Sequence, residues 1–340
     1  MTPHPSPNTM MDLIAGHRVT AVIYVAAKLG LADLLTDGPR TASELARLTE
    51  THERSLLRLM RALCALGICT EADDGGFRLT VLGGYLAARS ERSVKAWALL
   101  EGDMLRAGWG QIDESIRTGK TANELAGGSP ERFEEMARTN RAAAALFNEA
   151  MVSGTRMQIA ALLAAYDFSA IPMLMDVGGG LGELMSAILK KYPSMRGIVF
   201  DLPHCEDAAV KNLAASGVAD RCRFVAGSFF EQVPVGADAI IMKYIIHDWS
   251  DERCAQILQN CHRALKPGAR LLVVDRVMPA RLDATPDHLA VALADLNMLR
   301  GPGGCERTED EHRDLLARGG FRMTRIAPFG RVSVIEAIAR

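Results

Sequence analysis

The stretch MLMDVGGGLG at residues 173–182 constrains this chain more than any other, because an apolar run carrying Asp176 passes without a break into a glycine cluster. That is the pattern of a buried strand running into a tight turn. Gly178 and Gly180 can take backbone angles closed to other residues, and with no Cβ they offer bare backbone to a flat or extended ligand. The pattern points to a small molecule held at the end of a strand.

Spacing narrows the ligand. A dinucleotide fingerprint reads G-x-G-x-x-G, its last glycine bringing the next helix close while the helix N-terminus faces a pyrophosphate. Here the spaced series, in a cluster that also holds Gly179, is Gly178, Gly180 and Gly182, and Glu183 occupies the position of the third dinucleotide glycine. A carboxylate is a poor neighbour for a pyrophosphate and is tolerable for a ligand without phosphates, such as S-adenosylmethionine. Residues 197–203, GIVFDLP, form a second apolar run that ends in Asp201 and is stopped by Pro203. Asp201 lies about twenty residues beyond the glycines, where α/β nucleotide sites place an acid for ribose hydroxyls. NAD and S-adenosylmethionine share that ribose, so Asp201 alone leaves both open.

A chain of 340 residues with 49% hydrophobic side chains can fill two cores. Its net charge of −2, without a long single-sign run, argues against a nucleic-acid partner. Val19–Ala27, the most apolar early segment, is bracketed by Arg18 and Lys28 and falls short of the ~20 residues that span a bilayer. No signal-peptide pattern precedes it, so a cytoplasmic protein off the membrane is expected. Seven cysteines without a C-x-x-C pair favour reduced, buried thiols over a disulfide frame or a metal site. Cys254 and Cys261, seven apart on a predicted helix, are read as core thiols.

The pattern divides near residue 105. Up to about Ala88 it is helical, with Leu13, Ile14, Val22, Ile23, Ala26 and Leu29 at helical spacing. Residues 41–83 read as two short helices, the first capped by Thr41 or Ser43, and a hairpin turning at Asp74, Gly75 and Gly76. This is a winged-helix outline. Its DNA-binding reading would use Arg54, Arg58 and Arg61, whose charge is diluted by Glu44, Glu50, Glu53 and Glu71. Residues 106–160 read as connecting helices, one opened by Pro130. From Met173 onward strands and helices alternate, which implies a doubly wound parallel sheet. Ligands bind beyond the carboxyl ends of such strands, so Asp176, Asp201, Ser228, His247 and Asp275 are expected to converge on one crevice.

Five motifs in this order and spacing, DVGGGLG (176–182), FDLP (200–203), GSFF (227–230), MKYIIHDWSD (242–251) and GGCERTEDE (303–311), resemble the S-adenosylmethionine-dependent O-methyltransferases of the plant caffeic acid type and their bacterial relatives. YVAAKLGLADLL (24–35) and FNEAM (147–151) extend the likeness over nearly the whole chain. The resemblance implies an α/β chain: a Rossmann-like doubly wound methyltransferase sheet with an antiparallel last strand at 106–340, and a helical, winged-helix-like dimerisation domain at 1–105. It also implies a homodimer, and the excess of apolar and alanine positions from Leu13 to Leu35, more than one helical stripe needs, is consistent with that.

Residue roles follow from the resemblance. His247 matches the general base, and an ordinary imidazole pKa of ~6.5 suits taking a proton from a phenol near neutral pH. Asp275 and Glu306 match the acids that flank it; plant members usually carry Glu at the first, so the shorter Asp275 calls for a different ring position or a bridging water. Gly178 and Gly180 would face the methionine part of the cofactor, Asp201 the ribose hydroxyls, Ser228 and Phe229 the adenine, and Lys243 the cofactor edge, with Leu202 also binding the cofactor. The family usually has Asp where this chain has Ser228. Phe147, Asn148, Met151, Asp248, Asn297 and Met298 match the lining of the acceptor pocket, and Gly301 stands where plant enzymes carry a pocket asparagine. The implied acceptor is a small aromatic compound of bacterial secondary metabolism. Two other readings stand beside this one: a cofactor-binding relative with decarboxylase, hydroxylase or pericyclase chemistry, which the intact HDWSD disfavours, and a ligand-sensing winged-helix regulator, which would need a basic face.

Overall fold

A computed structural model describes residues 6–129 and 131–340; Pro130, expected to open a helix, lies outside the described residues, and the helix there is Arg132–Thr139. The chain folds as two compact units. One runs to Ala107 and takes in Ala145–Gly154; the other comprises Gly108–Ala144 and Thr155–Arg340.

In the first unit Thr41, rather than Ser43, caps helix Ala42–Thr49 in a reciprocal box: Glu44 N donates to Thr41 Oγ1 at 3.3 Å and Thr41 N to Glu44 Oε2 at 2.8 Å. Helix Glu53–Ala65 follows, and the hairpin of Cys69–Glu71 and Gly76–Leu79 gains a third antiparallel strand from Arg40–Thr41. The hairpin turns where φ is +75° at Gly75 and Gly76 N donates to Asp74 Oδ1 at 2.9 Å. Leu45, Leu56, Met60, Leu63 and Phe77 fill the core between them. Ahead of this wing, helices Pro7–Ile14 and His17–Lys28 leave Met10, Met11, Leu13 and Ile14 exposed. Together Pro7–Lys28 spans 22 residues and is long and apolar enough to cross a bilayer by length and composition alone, a breadth that Val19–Ala27 by itself conceals.

The second unit is built on a seven-stranded sheet: β1 (Met173–Val177), β2 (Arg196–Asp201), β3 (Cys222–Ala226), β4 (Ala239–Lys243), β5 (Arg270–Asp275), β6 (Phe321–Phe329) and β7 (Val332–Ala339), in the order β6-β7-β5-β4-β1-β2-β3. β1 to β5 pair in parallel, while β7 inserts between β5 and β6 antiparallel to both. Central strands covered on both faces must be apolar throughout, and Ile240, Ile241 and Leu271–Val274 are fully buried. Cys254 and Cys261 are buried thiols of the core. The strand order reverses direction at β1, so the glycine turn after it opens at the topological switch point, where open α/β sheets bind ligands.

Two strands end earlier than their apolar runs. AIIMKYI stops at Lys243, because Tyr244 takes a left-handed φ of +56° that no strand accommodates. LLVVDRV breaks after Asp275, and Val277–Met278 instead forms a short parallel pair with Arg307–Thr308. Those two breaks carry His247 and Glu306 to the carboxyl edge of the sheet.

Candidate active site

The turn after β1 is shaped by what surrounds it. Gly178 N donates to Phe200 O at 2.8 Å, with φ +74°, and a Cβ there would lie 2.2 Å from Ile245 Cδ1 and 3.8 Å from Phe229 Cε1. Only glycine fits. A Cβ on Gly180 would meet nothing within 4 Å, so that backbone borders open space. Asp201, at the tip of β2, accepts from Gly180 N at 2.6 Å and from Leu202 N at 2.7 Å, one bond to each oxygen. It fixes the turn from the neighbouring strand. Beneath them Asp176 is buried, and burial with the nearby charge of Asp201 lifts its carboxyl to about 7. Lys243 Nζ donates to Thr155 Oγ1 at 3.2 Å; burial pulls its ammonium down to about 8 against the attraction of Asp176 and Asp275.

After β3, Ser228 Oγ accepts from Phe230 N at 3.3 Å. Phe229 stands edge-on to Phe230 and Trp249, with ring centroids 4.8 Å and 6.2 Å away, which leaves its far edge over Gly178. Glu183, at the head of the helix after the glycines, is engaged by Arg156 through Nε at 2.8 Å and Nη2 at 3.2 Å. A helix start occupied by its own ion pair is not a pyrophosphate seat.

His247 is buried on the short helical turn Ile246–Asp248. Its Nδ1 donates to Glu306 Oε1 at 3.2 Å, and Asp248 Oδ1 lies 3.5 Å from Nε2. Arg276 Nη1 donates to the same Glu306 oxygen at 3.1 Å. Burial would raise the Glu306 carboxyl, but the bonds from His247 and Arg276 hold it below the usual range, so it is an anion that fixes the proton on Nδ1. Burial presses the ring toward neutrality, yet Asp248, Asp275 and Glu306 outweigh it and raise its pKa to about 9. The ordinary value expected from the sequence is thus displaced upward by three acids, two of them buried and Asp248 half-buried. Asp275 itself makes no hydrogen bond to the ring: both its oxygens are buried without a partner, and burial lifts it to about 7.

Several groups about the ring escape a motif-based reading. The Tyr244 ring lies against the imidazole, centroids 5.1 Å apart and planes 18° from parallel, and its hydroxyl accepts from Gln158 Nε2 at 2.8 Å. Lys243 Nζ and Arg276 Cζ sit 4.0 Å and 5.1 Å from the same tyrosine ring. Arg307, almost fully buried, donates to Ile246 O at 3.0 Å and Trp249 O at 2.9 Å, clamping the backbone on either side of His247. Position 306 could be found from ERT in sequence; its neighbour Arg307 gave no comparable signal.

Among the residues matched to the acceptor pocket, Asp248 reaches the ring. Asn297 and the buried Met298 lie on helix Pro286–Arg300, where Asn297 Oδ1 accepts from Arg300 Nη2. Phe147, Asn148 and Met151 lie on helix Arg141–Ala165, in its segment that belongs to the first unit.

The turn suits S-adenosylmethionine: bare backbone at Gly180, a carboxylate at Asp201 with lone pairs to spare, an aromatic edge from Phe229, and buried acids where a cationic ligand needs counter-charge. Residues 109–322 match the O-methyltransferase domain family, and residues 11–89 match the O-methyltransferase dimerisation domain. A phenazine O-methyltransferase of Lysobacter antibioticus is 38% identical over 98% of this chain and 96% of its own length. The crystal structure of LaPhzM superposes with a TM-score of 0.93 at 37% identity, covering 99% of this chain and all of the other. An O-methyltransferase from neocarzinostatin biosynthesis, solved in complex with S-adenosylmethionine and 2-hydroxy-5-methyl naphthoic acid, gives 0.82 at 30% identity over the full length of both. With its glycine turn, its acid-bracketed histidine and these matches along its length, the chain belongs to the S-adenosylmethionine-dependent O-methyltransferases.

Proposed function

We propose that this enzyme methylates a hydroxyl of a small aromatic secondary metabolite, with His247 as the base; the observation that carries the proposal is the buried imidazole held at Nδ1 by an ionised Glu306. Nε2 would meet the acceptor beside Asp248 Oδ1, which lies 3.5 Å away. Glu306 orients the ring and stabilises the cation formed when Nε2 takes the hydroxyl proton, Arg276 keeps Glu306 ionised, and Arg307 holds the turn. Asp275 acts through the field it adds. Bound S-adenosylmethionine supplies an activated methyl carbon on a sulfonium. Gly178, Gly180, Asp201, Leu202, Ser228 and Phe229 would hold it, with Lys243 at the cofactor edge. Asp248, Asn297 and Met298 would line the acceptor. Proximity and orientation supply ~7–11 kcal/mol of such a barrier, so positioning outweighs the base.

The phenazine of one relative and the hydroxynaphthoic acid of another support a flat aromatic acceptor. Turnover of labelled S-adenosylmethionine against phenols, naphthols and phenazine-like acids tests the reading. Transfer to at least one aromatic hydroxyl is the expected outcome; binding of the cofactor without transfer to any would replace it with non-methylating chemistry.

The N-terminal helices are proposed to bury their exposed Met10, Met11, Leu13 and Ile14 against a second copy, in a cytoplasmic homodimer. Light scattering should give twice the mass of 36.8 kDa at micromolar concentration. An active monomer would refute it.

A further inference from the structure

We infer that Arg132 is a specificity residue, and that the acceptor carries an anionic group, a carboxylate or its equivalent, beside the hydroxyl that is methylated. The inference deepens the methyltransferase reading and rests on it. Three acids, Asp248, Asp275 and Glu306, surround His247, so an acidic acceptor needs a cation on the Nε2 side of the ring. Arg276 is committed to Glu306 at Nδ1, and Arg307 to the backbone at Ile246 and Trp249. Arg132 takes part in neither contact. Its charge acts on Asp248, whose carboxylate lies 3.5 Å from Nε2, yet no ion pair closes between the two.

Burial and local packing place the guanidinium. Its guanidinium carbon lies over the Phe133 ring, 5.0 Å from the centroid, and Phe133 in turn stands edge-on to Trp249, the residue after Asp248. Arg132 Nη1 is 3.5 Å from where a Cβ on Gly301 would be. With no side chain at 301, the guanidinium has bare backbone beside it. A guanidinium whose charge is felt at Asp248, with bare backbone at 301 beside it, fits a carboxylate in two-point geometry. A lysine would supply the charge but not the fork.

The test compares a hydroxynaphthoic acid with the naphthol that lacks its carboxyl, in wild type, Arg132→Met and Arg132→Lys. Acceptor binding is measured by calorimetry in the presence of S-adenosylhomocysteine, and transfer by kcat and KM. Wild type should prefer the acid, and Arg132→Met should cut the acid-to-naphthol selectivity by about tenfold or more, chiefly through KM and Kd, with partial recovery in Arg132→Lys. Equal losses for both acceptors, or a wild type that prefers the naphthol, would overturn the role of Arg132 and leave the methyltransferase reading intact. Acid binding that depends on Arg132 without transfer to either compound would keep Arg132 and defeat that reading.

Discussion

Replacing His247 with alanine lowers methyl transfer to a phenolic acceptor by about 10²- to 10⁴-fold, or ~2.7–5.5 kcal/mol of barrier, while cofactor affinity changes little. The pH dependence carries the sharper expectation. A base must be neutral to act, and Asp248, Asp275 and Glu306 hold the imidazolium stable to about pH 9 in the free protein. Below its inflection, wild-type kcat/KM for a hydroxyl acceptor should therefore rise about a decade per pH unit, with the inflection above the ordinary ~6.5. His247→Ala should lose that inflection and follow the ionisation of the acceptor, because a phenolate needs no base. Asp275→Asn removes one of the anions that stabilise the cation, so it moves the inflection down and costs less rate than losing the ring. Full turnover by His247→Ala at neutral pH on the true acceptor would make the histidine a structural turn residue.

Sequence reading reached what is local. A glycine run after an apolar strand and an acid at the next strand's tip are set by a few adjacent residues, and both stand at the switch point of the sheet. HDWSD and ERT located His247 and Glu306 for the same reason. What surrounds the histidine depends on distances between strands and on the two early strand breaks, and no periodicity encodes those. Asp275 ends a central strand and is buried too deeply to bond the ring, whereas Glu306 is carried to Nδ1 by the short pair of Val277–Met278 with Arg307–Thr308. Tyr244 looked like one more apolar strand residue, but its left-handed backbone ends the strand and turns its ring onto the imidazole. The insertion of β7 between β5 and β6 is likewise a matter of pairing, which alternation in sequence leaves undetermined. Arg132 sits among charged residues in PERFEEM and reads as a solvated face until its packing against Phe133 and Gly301 is known.

Asp201→Ala should weaken binding of both S-adenosylmethionine and S-adenosylhomocysteine on the order of a hundredfold, since a charge-assisted hydrogen bond contributes ~1.5–3 kcal/mol and the carboxylate can offer one to each ribose hydroxyl. The structure adds a second cost. Each Asp201 oxygen already accepts a backbone N–H, from Gly180 and from Leu202, so truncation leaves two donors unpaired and releases the turn on which the cofactor lies. Asp201→Asn separates the two contributions. Its single amide oxygen can keep one of those backbone bonds, while its NH₂ faces the other donor and cannot accept from a ribose hydroxyl. The asparagine variant should therefore fall between alanine and wild type. Calorimetry on the free enzymes measures the loss, and kcat at saturating cofactor shows whether it is confined to binding: recovery toward the wild-type rate is expected, because Asp201 touches neither His247 nor the groups around it. Alanine and wild type binding the product equally would mean that Asp201 supports the cofactor neither directly nor through the turn, and the ribose would have to be held elsewhere along the edge of the sheet.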